Sequence, residues 1–171
     1  MFLLFPKKIR ITTSLTAKQC REKMTRDMVE YTRRPSLVAA SSFIKAHRLE
    51  NCYYGSCVKK DGVINSEIFY HRAKKHDGSS AGFFGTVTKT EDGKGAVIEG
   101  MIRRTAWSMA MISTWFTVTF LFAVLLTVLK ITIGAVVTLG VMAAGIVLMT
   151  YDRSESYIRD YLKQFEDIGK S

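Results

Sequence analysis

Few side chains in this sequence have the types and spacing needed for chemistry. His71, His76 and Asp77 lie in the polar segment HRAKKHD, where they could act as a general base or hold a metal ion. The two histidines are five residues apart, which is not a zinc-ligand spacing, and no orienting partner accompanies them. We therefore predict no catalytic residue, no metal site and no cofactor. A membrane enzyme that uses these three residues is kept as the last of our alternatives.

The three cysteines, Cys20, Cys52 and Cys57, form no chemical motif. Their odd number and the lack of a secretory signal argue against a closed set of disulfides. Because free cysteine behaves as a small hydrophobic residue, we predict three reduced thiols. The sequence has no Gly-x-Ser-x-Gly motif, and its glycine-containing turn EDGKG stands between predicted strands, whereas a nucleotide-binding loop precedes a helix.

The element that dominates the chain is the apolar segment from residue 106 to 150, whose one charge is Lys130. A bilayer core is about 30 Å thick and is crossed by a helix of ~20 residues. The segment is therefore long enough for two crossings, with Lys130 at the turn. We predict transmembrane helices at about 106–128 and 133–151. A buried soluble strand is the alternative, but such strands run to about 4–8 residues.

Small residues recur every four positions in both predicted helices. Small residues let membrane helices pack closely. We therefore predict that the contact between the two helices is formed by Thr119, Ala123 and Thr127 in the first helix and by Gly140 and Ala144 in the second. They could equally join a second copy or another membrane protein. The alternative is that glycine and alanine are simply common in membrane helices.

The charges that flank the hairpin predict its orientation. Arg103 and Arg104 precede it and Arg153 follows it, whereas Lys130 stands alone on the other side. The positive-inside rule then places both termini in the cytoplasm of a multi-pass plasma membrane protein. Neither span contains an acidic residue or a histidine, so a channel or transporter is not expected.

The positive charge is concentrated in residues 1–105, which hold 20 Lys and Arg against 10 Asp and Glu, while the net charge of the chain is +10. The basic residues occur as scattered pairs without a recognition helix, a zinc finger or an aromatic RNA-binding motif. A nucleic-acid partner is therefore not expected. Next to a membrane, the partners we predict are the lipid bilayer and its anionic headgroups, and the alternative is an ordinary solvated surface.

Local signals outline a β-rich domain in residues 1–105. Thr16 and Gln19 form a capping-box pattern at the start of a helix, whose apolar stripe continues through Cys20, Met24, Met28 and Tyr31. A strand is predicted before this helix, from Lys8. Asp61-Gly62 and the turn at 91–95 predict two hairpins in an antiparallel meander of four or more strands. Residues 36–47 fit a helix or a strand equally well.

The tail, residues 152–171, predicts an amphipathic helix with an apolar face. This face consists of Tyr157, Ile158, Tyr161, Leu162, Phe165 and Ile168. We expect it to pack back on the β-rich domain, because the net acidic tail is unlike the basic helices that lie on lipid surfaces. The fold class predicted is α+β: an antiparallel β-meander with covering helices, interrupted by a two-helix transmembrane hairpin.

The run FFGTVTKTEDGKGAVIEGMIRR, followed by two predicted spans and an amphipathic helix, resembles small uncharacterised bacterial membrane proteins with a β-rich cytoplasmic domain. The resemblance is carried by Gly85, Gly95, Ile98, Gly100 and the basic pair before the hairpin, and it implies no activity and no site. Our first hypothesis is a non-enzymatic binding or scaffolding module at the cytoplasmic face. The second is an accessory subunit of a membrane transport or sensing complex.

Overall fold

The computed structural model describes residues 5–30, 50–72, 81–151 and 154–168. Within these residues the chain forms six strands and four helices. In chain order they are β1 (Lys7–Thr13), α1 (Ala17–Asp27), β2 (Met28–Glu30), β3 (Cys52–Lys60), β4 (Val63–His71), β5 (Ala81–Lys89), β6 (Ala96–Arg104), α2 (Ala106–Val128), α3 (Thr132–Thr150) and α4 (Ser154–Asp167). Residues 36–47, whose secondary structure the sequence left open, lie outside the described residues.

The strands form one sheet in the order β1-β6-β5-β4-β3-β2. Strands β3 to β6 are the predicted antiparallel meander, and β1 lies antiparallel beside β6. The α+β class is thus confirmed, and the sheet as a whole is mixed, because β2 pairs parallel with β3 beside the antiparallel meander. The mixed character comes from one short edge strand of three residues.

Helix α1 begins as the sequence predicts and ends earlier. Both hydrogen bonds of the capping box between Thr16 and Gln19 are present. The apolar stripe predicts helix as far as Tyr31, but Met28 already has extended backbone with φ −126° and ψ 156°. As a strand residue, Met28 pairs with β3 and its side chain is still buried. Tertiary pairing therefore overrides the helical periodicity here, and Tyr31 lies outside the described residues.

The two predicted turns join the strands of the meander. Asp61 and Gly62 have φ values of 51° and 82° and connect β3 to β4. Two successive residues with positive φ are typical of the tight hairpin turn whose twist matches that of the strands. Gly93, in the turn between β5 and β6, also has positive φ.

Helices α1 and α4 cover one face of the sheet and enclose the core of the domain. Ile68, Phe83, Ile98 and Ile102 point from the strands into this core and are fully buried. Met24 of α1 and the stripe of α4 complete the cluster; the stripe residues within it are Ile158, Tyr161, Leu162 and Phe165. The last turn of the stripe departs from this, because Ile168 is exposed.

Candidate functional site

The α2–α3 hairpin exposes apolar side chains on all its sides. Large examples in α2 are Val118 and Leu121, and in α3 Val136 and Leu148, each more than half exposed. Only 6% of the most apolar window of either helix is buried. The core helix of a soluble protein would be mostly buried instead. By length and composition, both helices could cross a membrane.

The tip of the hairpin is a tight turn at Lys130. Its φ of 59° is left-handed, and its backbone N–H donates to the carbonyl of Thr127. The charge predicted to lie at the turn is therefore there, and its side chain is exposed.

The residues predicted to mediate helix packing are divided by the structure between the inner and outer faces of the hairpin. Ala123 is buried between the helices, and Thr119 is half-buried. Thr127, Gly140 and Ala144 are exposed, and a Cβ atom built on Gly140 would meet nothing within 4 Å. The first group therefore lies on the α2–α3 contact, whereas the second group faces outward.

Gly145 of α3 lies against Trp115 of α2 and is not among the predicted packing residues. A Cβ atom on Gly145 would overlap the indole ring of Trp115. The ring occupies the space that a side chain would take, which explains the glycine. Ala135, near the turn, is buried at the same contact. The signal that could have found this site is the pairing of a large residue with a small one at equal depth from the turn.

Four threonines of the hairpin satisfy their hydroxyl groups within their own helices. Thr119 and Thr127 each donate to the carbonyl four residues earlier, at 2.7 and 2.9 Å, and Thr138 and Thr150 do the same in α3. In hydrocarbon an unpaired polar group is costly. These threonines are therefore compatible with a lipid environment and do not require partners across the helix contact.

Arg104, the last residue of β6, joins the base of the hairpin to the sheet. Its guanidinium is buried and donates to the carbonyls of Met149 and Thr150 at the end of α3, and to the Ser108 hydroxyl in α2. The last carbonyls of a helix have no partner within the helix and carry the negative end of its dipole. The Arg104 guanidinium supplies hydrogen-bond donors to these carbonyls and a positive charge to the end of the dipole. One side chain therefore fixes both helices to the domain.

A second buried charge lies at the start of α4. The Glu155 carboxylate is 1% exposed, and its Oε1 accepts from Lys7 Nζ at 2.8 Å and from Arg159 at 2.6 Å. Oε2 has no hydrogen-bond partner in the described part of the chain. The ion pair with Lys7 connects α4 to β1 across almost the whole sequence. The sequence signal for the burial of Glu155 is its spacing to Ile158 and Leu162, which places all three residues on one face of α4.

His71 is the one member of the proposed chemical triplet that the structure describes, since His76 and Asp77 lie in the segment 73–80. It ends β4 and is buried, and desolvation lowers the pKa of its imidazole, which favours the neutral form. Its Nδ1 atom has no hydrogen-bond partner among the described residues. Its cross-strand neighbour is Cys52. No cluster of three metal-ligating side chains occurs within the described ranges.

The cysteines are free thiols in surroundings that suppress their reactivity. Cys20 and Cys57 are fully buried, and desolvation raises the pKa of each to about 11. Burial also raises the pKa of the half-buried Cys52 thiol. A thiolate is the nucleophilic form of cysteine, so at neutral pH none of the three is activated.

An open cleft of about 640 Å³ lies at the other end of the sheet from the hairpin. Basic and acidic side chains share its lining, which includes Arg10, Lys94, Asp92 and Glu166. Mixed charges on an open surface select no class of ligand.

No family model, no curated protein and no solved structure matches this chain. The resemblance to bacterial two-span proteins therefore stays an expectation.

Proposed function

We propose that this chain is an integral membrane protein that crosses the plasma membrane twice and holds a non-enzymatic binding or scaffolding domain at the cytoplasmic face. The observation that carries the proposal is the contrast between two parts of one fold. The sheet, α1 and α4 bury their apolar side chains, whereas α2 and α3 expose theirs. In water, such a surface would far exceed the patch of a few hundred Å² that monomeric soluble proteins expose.

The charges at the two ends of the hairpin support the cytoplasmic location of both termini. The base carries Arg103 and Arg104, and the tip carries Lys130 alone. Basic residues are retained on the cytoplasmic side of membrane helices. Through the buried contact of Arg104 with the end of α3, both ends of the hairpin meet the same domain, which supports a location of the two termini on one side.

A second candidate function is an accessory subunit of a membrane transport or sensing complex. The observation that favours it is the outward position of Gly140 and Ala144, four residues apart on the surface of α3. Small residues on an outer face let another helix approach closely. A partner that copurifies at fixed stoichiometry in mild detergent would favour this candidate over a self-contained module.

Thiol labelling tests the topology. Leu129→Cys places an exposed thiol at the tip, and Lys59→Cys places one on the sheet domain. In sealed vesicles, we expect a membrane-impermeant maleimide to label L129C from the extracellular side and K59C from the cytoplasmic side. Both variants also carry Cys52→Ser, which removes the half-buried native thiol, and the buried Cys20 and Cys57 give little background. Labelling of both sites from one side, or release of the chain by alkaline carbonate, would contradict the proposal.

A further inference from the structure

The end of the sheet where the hairpin begins carries two exposed basic side chains on one face. Lys8 of β1 lies directly opposite Met101 of β6, and Arg103 lies two residues further along β6. Residues two apart on a strand share a face, and diagonal cross-strand neighbours are about 7–8 Å apart. Lys8 and Arg103 are therefore neighbours on the face of the sheet opposite to α1 and α4.

An aromatic ring orients one of these charges. The guanidinium carbon of Arg103 lies 4.6 Å from the centre of the Phe84 ring. Phe84 is opposite Met101, so Lys8, Met101 and Phe84 form a row across three strands. A guanidinium stacked on a ring keeps its N–H donors at its edge, where they can bind a phosphate in a bidentate manner.

This pair lies close to the level at which the chain enters the proposed membrane. Thr105 caps α2, and Trp107 in its first turn is half exposed. Tryptophan is enriched at the headgroup level of membranes. Arg103 is four residues earlier, and Phe5, which is 80% exposed, lies just before β1. Two cations and two exposed aromatic rings are thus gathered at one end of the domain.

We propose that Lys8 and Arg103 form a binding site for the phosphate of an anionic phospholipid headgroup on the cytoplasmic leaflet. The inference rests on the proposed function, because it requires the hairpin to cross the bilayer beside the site. Two carboxylates share this face: Glu99 lies directly opposite Arg10, on the side of Lys8 away from the hairpin, and Glu67 lies opposite Phe84. Neither is adjacent in sequence to Lys8 or Arg103, so charge complementarity favours lipid at this end over the far end of the sheet. There, acidic residues stand among the lysines, with Asp61 beside Lys60 and Asp92 near Lys94.

The test compares two double variants of the full chain with the same loss of charge. K8Q/R103Q removes the proposed site, and K59Q/K60Q removes two exposed lysines at the far end. Each protein is placed in phosphatidylcholine nanodiscs with and without phosphatidylglycerol, and the affinity for phosphatidylglycerol is measured by native mass spectrometry. We expect K8Q/R103Q to weaken it about tenfold or more, and K59Q/K60Q to leave it within about twofold, since two basic residues near the surface act together.

The controls separate this inference from the proposed function. Alkaline extraction first establishes that each variant is inserted, and equal unfolding temperatures in phosphatidylcholine establish that it is folded. Failure of the wild-type chain to insert would overturn both proposals. If the variants insert but K8Q/R103Q keeps the wild-type affinity for phosphatidylglycerol, the site alone is overturned. The same holds if K59Q/K60Q loses as much of this affinity as K8Q/R103Q. Stabilisation by soluble glycerol phosphate equal to that by the lipid would also overturn the site alone.

Discussion

Arg103 and Arg104 are neighbours in the sequence but have different surroundings in the fold. As one basic pair before the hairpin, they predict its orientation. Strand alternation separates them, because β6 turns Arg104 to the face shared with Ile98 and Ile102, while Arg103 remains exposed. This alternation could be seen in the sequence. The partners of Arg104 could not, since Met149 and Thr150 are brought to it only when the hairpin closes.

Replacing these two arginines in turn tests the different roles. In neutral detergent, we expect Arg104→Met to lower the free energy of unfolding by roughly 2–4 kcal/mol, because charge-assisted hydrogen bonds are lost and buried carbonyls remain unpaired. Arg103→Met is the control and should change it by less than about 0.5 kcal/mol, as is usual at exposed positions. Denaturant unfolding followed by circular dichroism measures both. Equal losses would show that Arg104 does not hold the hairpin to the domain.

Whole helices and strands were predictable where their signals are local. The capping box at Thr16, the turn at Asp61-Gly62 and the reversal at Lys130 all depend on residues close in sequence, and all are present. The end of α1 and the rotation of α2 against α3 depend on distant partners. The lengths of α2 and α3 therefore follow from the sequence, whereas the choice of Gly140 or Gly145 to face the neighbouring helix does not.

The two glycines form a matched pair for testing the helix contact. Gly145→Val would push a side chain into the Trp115 ring, and overpacking costs about 1–3 kcal/mol. Gly140→Val has open space and should be close to neutral for the isolated chain. Thermal unfolding in detergent, followed by the fluorescence of Trp115 and Trp107, should show a lower midpoint for G145V alone. A larger effect of G140V would mean that Gly140 faces α2, or that a second helix covers it.

The molecule as a whole is a domain closed by its own C-terminal segment, with the hairpin as an insertion. Ile158, Leu162 and Phe165 of α4 are fully buried against the sheet. The amphipathic pattern of the tail predicted a buried face. It did not predict the Glu155–Lys7 ion pair, which joins residues 148 positions apart. The pattern fixes which side of a helix is apolar, and only the assembled fold selects the residues it meets.

If the hairpin is an insertion, the domain should fold without it. We predict that a chain in which a short Gly-Ser linker replaces residues 106–150 is water-soluble and unfolds cooperatively in urea. The contacts of Arg104 with Met149 and Thr150 bring the cut ends together, and loop closure costs only about 0.6 kcal/mol per doubling of length. Water molecules then hydrogen-bond to Arg104 in place of its lost partners.

The control adds Phe165→Ala to the excised chain. This substitution should lower the free energy of unfolding by about 3–5 kcal/mol, because removing a large buried side chain leaves a cavity. Cooperative unfolding of the excised chain with a lower midpoint for the control would show that α4 closes an independent core. If the excised chain aggregates, or if Phe165→Ala leaves its urea midpoint unchanged, the sheet depends on the hairpin for its stability.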